Sequence, residues 1–176
     1  MTVEEFLVWL EDKADCTRYE LIAGRPVAMA PEPVAHARTK AQLWRVLRDG
    51  LELQRLPGEA LPDGMTVKID EHTAYQPDAV VHCDQPLPDD AIIVPAPVIV
   101  VEVLSPITKA HDAGAKLADY SRLPSVRHYL LVRTERPTVI HHRRGDDGSI
   151  ATRVVTAGAL ALDPPGLTLE LAHIYG

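Results

Sequence analysis

Cysteine, positive charge and uninterrupted apolar runs are all scarce in this 176-residue sequence, and each shortage excludes something. The 2 cysteines, Cys16 and Cys83, form no CxxC pair and no disulfide framework, so a reducing cytoplasm is the simplest expected home. The most apolar stretch, Ala91 to Leu104, is broken by Pro95, Pro97 and Glu102 and falls short of the ~20 apolar residues of a membrane span. No membrane association is expected. The opening segment carries Glu4, Glu5 and Glu11 where an export signal needs lysines, so no export is expected either. Lys and Arg number 18 against 25 Asp and Glu, a net charge of −7. That balance excludes a uniformly basic nucleic-acid binder but leaves room for a local basic groove. The 8 histidines show no HExxH spacing, and the adjacent His141 and His142 point to opposite faces of a strand, so a zinc hydrolase ranks low.

What is present is an ordinary globular composition, 46% apolar and 24% charged, at a length near the ~150 residues of one domain. Thr2 and Glu5 form a capping box ahead of Val3, Phe6, Leu7 and Leu10, which predicts a short first helix. Residues 19–22 and 26–29 read as two strands around a turn at Ala23-Gly24-Arg25. Leu43, Leu47 and Leu51 repeat every fourth residue between Val34 and Gln54, before Pro57-Gly58, which predicts a long helix. Strands are expected at 65–69, 79–82 and 97–104, a second helix over 108–122, and further strands at 127–133, 137–143, 150–155 and 167–171. Residues 84–90, with Pro86 and Pro88, read as an exposed loop. The fold expected is α/β, one domain over residues 1–176 with a mixed central β-sheet flanked by helices.

Glu102 is the oddest residue, since it interrupts the apolar strand Pro97–Leu104, and a buried unpaired carboxylate is costly unless a cation meets it. A strand that simply ends at Val101 explains it equally well. Asp78 opens the strand Ala79–His82 after Pro77; by itself it reads as a turn residue, but on neighbouring strands it converges with Glu102. Two carboxylates and a backbone carbonyl make a hard oxygen site for Mg²⁺ or Mn²⁺. Asp112, Lys116 and Tyr120 stack on one face of the second helix, either as a surface ion pair or with the Lys116 ammonium over the metal site. Glu20 lies on the sheet face opposite Tyr19 and Leu21, and His36 stands beside the start of the long helix, where surface or capping roles are commonest.

Five ordered segments carry a resemblance. Tyr19-Glu20-Leu21-Ile22-Ala23-Gly24, Pro31-Glu32-Pro33-Val34-Ala35-His36, Gln76-Pro77-Asp78, Glu102-Val103-Leu104-Ser105-Pro106, and Asp112 through Lys116 to Tyr120 resemble the Uma2 family (DUF820) over nearly the whole chain. That family is assigned to the PD-(D/E)xK, restriction-endonuclease-like superfamily of nucleases. The resemblance implies a Mg²⁺- or Mn²⁺-dependent phosphodiesterase acting on nucleic acid, DNA first, and in keeping with a homodimer. It implies Asp78, Glu102 and the backbone carbonyl of Val103 as metal ligands, and Glu20 as an extra acidic residue. The superfamily's lysine falls two residues after the Glu, where this chain has Leu104; Lys116 stands as its displaced counterpart. His36 and Tyr120 are accessory positions. Arg38, Lys40, Arg45 and Arg48, on the long helix with no acid before Asp49, read as a solvated face or as phosphate-backbone contacts.

Two rivals stand beside this. One is a catalytically silent nucleic-acid-binding module that keeps the nuclease fold, favoured by Leu104 and the net charge of −7. The other is a protein-interaction module with no nucleic acid partner.

Overall fold

The computed structural model describes residues 1–13, 17–104 and 110–175, apart from the side chains of 110–113. Helix α1 (Val3–Glu11) starts as its capping box dictates: the Thr2 hydroxyl accepts from the Glu5 N–H at 3.2 Å, and the Glu5 carboxylate accepts from the Thr2 N–H at 2.8 Å. Its buried Val3 and Phe6 pack on Leu21 and Ala74. Strands β1 (Tyr19–Ile22) and β2 (Arg25–Ala28) form a hairpin whose two turn residues, Ala23 and Gly24, have φ of 47° and 76°. Two left-handed residues match the twist of the flanking strands, which suits glycine at the second. Helix α2 (Val34–Leu53) buries Leu43, Leu47 and Leu51, the stripe predicted from their spacing.

Four short strands follow: β3 (Glu59–Pro62), β4 (Val67–Asp70), β5 (Thr73–Tyr75) and β6 (Ala79–His82). Next come β7 (Pro97–Leu104), α3 (Ala110–Tyr120), β8 (His128–Arg133), β9 (Val139–Arg144) and β10 (Ile150–Val155). The chain closes with β11 (Ala159–Leu162), β12 (Leu167–Glu170) and α4 (Leu171–Tyr175).

The expected mixed sheet is six-stranded, in the order β10-β9-β8-β7-β6-β3. Its one parallel pair is β7 with β8, and α3 lies in the connection between them, as a parallel crossover requires. Two smaller sheets accompany it, β2-β1-β5-β4 and β11-β12. Strands β3, β5 and β11 and helix α4, three to five residues each, escape the sequence reading. Strand β4 also starts later than expected, Thr66 instead bridging to Ile93.

Strand β7 is covered on both faces, as its apolar run predicts. Val101 and Val103 join Leu43 and Leu47 of α2 on one face, while Val100 joins Tyr120 of α3, and Tyr75 and Val67 of the second sheet, on the other. Residues at the C-terminal end of β7 therefore lie between α2, α3 and the β1–β5 sheet. Among the described residues no helix is long and apolar enough to cross a membrane.

Candidate active site

Glu102 sits on the α3 face of β7, where alternation places it with Val100. One of its carboxylate oxygens accepts from the Lys116 ammonium at 3.1 Å and from the Tyr120 hydroxyl at 3.2 Å. Lys116 and Tyr120 are one helical turn apart on α3, so both reach the same oxygen. The Lys116 ammonium also donates to Glu20 of β1 at 2.8 Å and lies 5.0 Å from the centre of the Tyr75 ring. Lys116 is 7% exposed, so the surface-pair reading of this residue fails; the side chain of Asp112 lies outside those described. Burial opposes its charge, but the Glu102 and Glu20 carboxylates hold the ammonium well above its ordinary pKa. Burial in turn pushes Glu102 up to about 7, against Lys116 and with help from the Asp78 charge.

Asp78 lies one residue before β6, and its N–H donates to the Val101 carbonyl at 3.0 Å. Val101 is the last β7 residue paired with β6, so Val103 presents its backbone groups to a lane that β6 has vacated. Two side chains fill it. The Asp78 carboxylate accepts from the Val103 N–H at 2.6 Å, and His36 Nε2 lies 2.8 Å from the Val103 carbonyl oxygen. His36 belongs to the first turn of α2 and is 7% exposed, which replaces the surface or capping role expected of it. Burial raises the Asp78 pKa, opposed by the Val103 N–H.

Around Asp78 stands a second ring of charge. Lys40 Nζ lies 2.7 Å from Glu32 Oε1, 2.8 Å from Asp63 Oδ2 and 3.7 Å from Asp78 Oδ1. Arg18 donates to Asp63 at 2.6 Å and to the Gln76 side-chain oxygen at 3.2 and 3.3 Å, while the Gln76 N–H donates to Glu20 at 3.1 Å. Gln76 therefore joins the Lys116 group to the Lys40 group.

The five carboxylates of Glu20, Glu32, Asp63, Asp78 and Glu102 face three fixed cations, Arg18, Lys40 and Lys116. With every carboxylate ionised, five negative charges against three positive leave an excess of two, and because burial raises Glu102 and Asp78 that excess is complete only when a cation displaces their protons. The site thus suits a divalent cation both in charge and in its oxygen-rich donors. Glu32, His36 and Asp78 each offer a ligand atom within 4.8 Å of the other two. The Val103 carbonyl, by contrast, already spends one lone pair on His36.

Asp78, Glu102, Lys116, Glu20, His36 and Tyr120 are thus brought to one place. The four basic residues of α2 are not. Lys40 is 7% exposed and turned into the site, whereas Arg45 and Arg48 both fold onto Asp49, with the Arg48 guanidinium 4.8 Å from the Trp44 ring, and Arg38 is exposed. At about 100° per residue Lys40 turns away from the side that Arg38 and Arg45 share, so the four do not form one basic face. Glu32, Asp63 and Arg18 were missed. The i,i+4 spacing of Glu32 and His36 was a usable signal; Asp63, in a Pro-Asp-Gly turn, had none.

The fold is thus mixed α/β, with a six-stranded sheet and acids and lysines clustered at the end of its strand β7. The Uma2 family model, described as "Putative restriction endonuclease", matches residues 3–173, and the chain belongs to that family. The chain is 27% identical over 179 residues to "Uncharacterized protein slr1290" of Synechocystis sp., across 99% of this chain and 91% of that protein. A crystal structure from Anabaena variabilis, titled as that of "a putative nuclease belonging to DUF820", superposes with a TM-score of 0.77 at 18% identity, covering 99% of this chain and 97% of its own.

Proposed function

We propose that the chain is a single-domain, metal-dependent nuclease that hydrolyses phosphodiester bonds, with DNA as the first substrate to test and a homodimer as its assembly. The reading rests on one observation above the others: Glu102, Lys116 and Glu20 meet at the end of β7, beside Asp78. Asp78 and Glu102 would hold Mg²⁺ or Mn²⁺, with Val103 contributing its free carbonyl lone pair. The cation supplies charge to polarise the phosphate and to acidify water. Glu20 and Glu102 hold the Lys116 ammonium charged and fixed, where it offsets negative charge developing on phosphorus-bound oxygens. Tyr120, its phenol kept protonated by burial and the nearby Glu102 charge, donates to Glu102 and fixes its rotamer.

Asp78→Ala and Glu102→Ala are each expected to abolish Mn²⁺-dependent plasmid cleavage while the thermal unfolding transition persists. A wild-type protein that cleaves neither DNA nor RNA with any divalent ion would favour the silent-binder reading. Leu104 at the superfamily's lysine position is the observation on that side.

A further inference from the structure

We propose that Glu32, His36 and Asp78 form a second metal position that shares Asp78 with the Glu102 position, with one imidazole nitrogen and two carboxylates, and that it takes a transition ion such as Mn²⁺ in preference to Mg²⁺. It rests on the nuclease reading only in taking a divalent cation as the site's ligand.

The imidazole carries the argument. His36 is 7% exposed, and its Nε2 is engaged with the Val103 carbonyl at 2.8 Å. A carbonyl only accepts, so Nε2 bears the hydrogen, and in a neutral ring Nδ1 keeps a bare lone pair. That Nδ1 is buried with no hydrogen-bond partner, yet it lies 3.4 Å from Glu32 Oε2. A lone pair facing a carboxylate repels it unless a cation lies between them. Metal bonds of ~2.1 Å place neighbouring ligand atoms about 3–4 Å apart, so Nδ1 and Glu32 are already spaced as ligands of one ion. The Nε2–H bond to a backbone carbonyl is also the support that orients a metal-bound histidine.

Lys40 occupies the charge in the meantime. Its ammonium lies 2.5 Å from Glu32 Oε2, the oxygen that faces Nδ1, 2.7 Å from Glu32 Oε1 and 3.7 Å from Asp78, so it competes with any ion drawn to both carboxylates. Asp63, at 2.8 Å, gives it a partner to retain when Glu32 turns to a metal. Selectivity follows from the nitrogen. Mg²⁺ prefers oxygen donors and gives up water reluctantly, whereas a first-row transition ion accepts an imidazole beside carboxylates; Mn²⁺ is the weakest of that series, so the preference expected of it over Mg²⁺ is modest.

The test uses the full chain with Mn²⁺ and no nucleic acid. Pulsed electron paramagnetic resonance of the bound ion is expected to show hyperfine coupling to an imidazole nitrogen. The coupling should vanish in His36→Gln, survive in the exposed-site control His72→Gln, and resist an equal concentration of Mg²⁺. Lys40→Met should tighten Mn²⁺ binding several-fold. Absence of nitrogen coupling in the wild type overturns the proposal, however the variants fold, as does coupling that persists in His36→Gln or yields to equimolar Mg²⁺. Unchanged or weaker binding in Lys40→Met overturns the competition. Coupled Mn²⁺ without cleavage of any nucleic acid defeats the nuclease reading alone; cleavage with uncoupled Mn²⁺ defeats this proposal alone.

Discussion

Two buried polar clusters, one against the end of β7 and one between β8 and β9, settle their charge in opposite ways. At the end of β7, Lys116 keeps its charge between Glu20 and Glu102. Elsewhere in the same sheet, His128 of β8 and His141 of β9 hydrogen-bond each other, Nδ1 to Nε2, at 2.9 Å, and both are almost fully buried. There burial comes first, reinforced by Arg143 at His128 and by His128 and Arg153 at His141, and each imidazole is pushed down to about 4. Burial is common to both groups. What differs is what faces them: opposite charges retain ionisation, while other bases remove it. Only the first group has negative charge left over with which to recruit a cation, so only it is built for electrostatic chemistry.

The largest way to break this contrast is to remove the cation from the charged group. Lys116→Met leaves Glu20 and Glu102 buried without their shared partner. It is expected to cut cleavage ~10²–10³-fold and to cost about 3 kcal/mol of stability in urea unfolding. Lys116→Arg should not restore full activity, because a planar guanidinium does not take an ammonium's place. A fully active Lys116→Met protein would remove this lysine from the chemistry.

The pH dependence of stability sharpens the contrast. Between 4.5 and about 7 the folded, metal-free protein keeps a proton on Glu102 that the unfolded chain releases. Stability therefore falls as pH rises through that window, by ~3 kcal/mol for a shift of that size. The histidines oppose this, because from 6.5 down to about 4 the unfolded chain binds protons that the folded pair refuses. Their contribution rises with pH. Urea unfolding across pH 4–7.5 should therefore show a steep rise in Glu102→Gln, a falling limb in a His128→Phe, His141→Leu double variant, and an intermediate profile in the wild type, where two histidines outweigh one glutamate. Parallel profiles for all three would show that neither group is perturbed as described.

The smallest expected effect is His141→Leu alone. It strands His128 Nδ1 without its partner and should cost about 1–3 kcal/mol while leaving cleavage unchanged.

How much of this was legible beforehand follows a physical rule. Glu102 stood out because a carboxylate in a two-face apolar strand is anomalous on local grounds, and the leucine stripe of α2 and the capping box of α1 are equally local. The resemblance located Asp78, Glu20 and Lys116, which lie far apart in the chain. Asp63 and Arg18 contribute only through long-range contact, 45 residues apart, and a turn aspartate looks the same whether or not an arginine later reaches it. The burial of Lys40 was hidden for a related reason. Basic residues in sequence suggest a basic face, but at about 100° per residue Lys40 turns away from Arg38 and Arg45, and its burial beside Asp78 is decided by the sheet beneath the helix.

Val103 has a consequence for anyone mapping this protein by substitution. Its side chain is ordinary core, packed with Val101 and Leu47, and every small apolar replacement there should pass as a tolerated packing change. Yet its N–H and carbonyl are what Asp78 and His36 hold. The position that ties two site residues to one strand is written in the main chain, invisible to scanning with small apolar side chains. Replacing the amide between Glu102 and Val103 by an ester, which deletes that N–H alone, is the edit that would reach it.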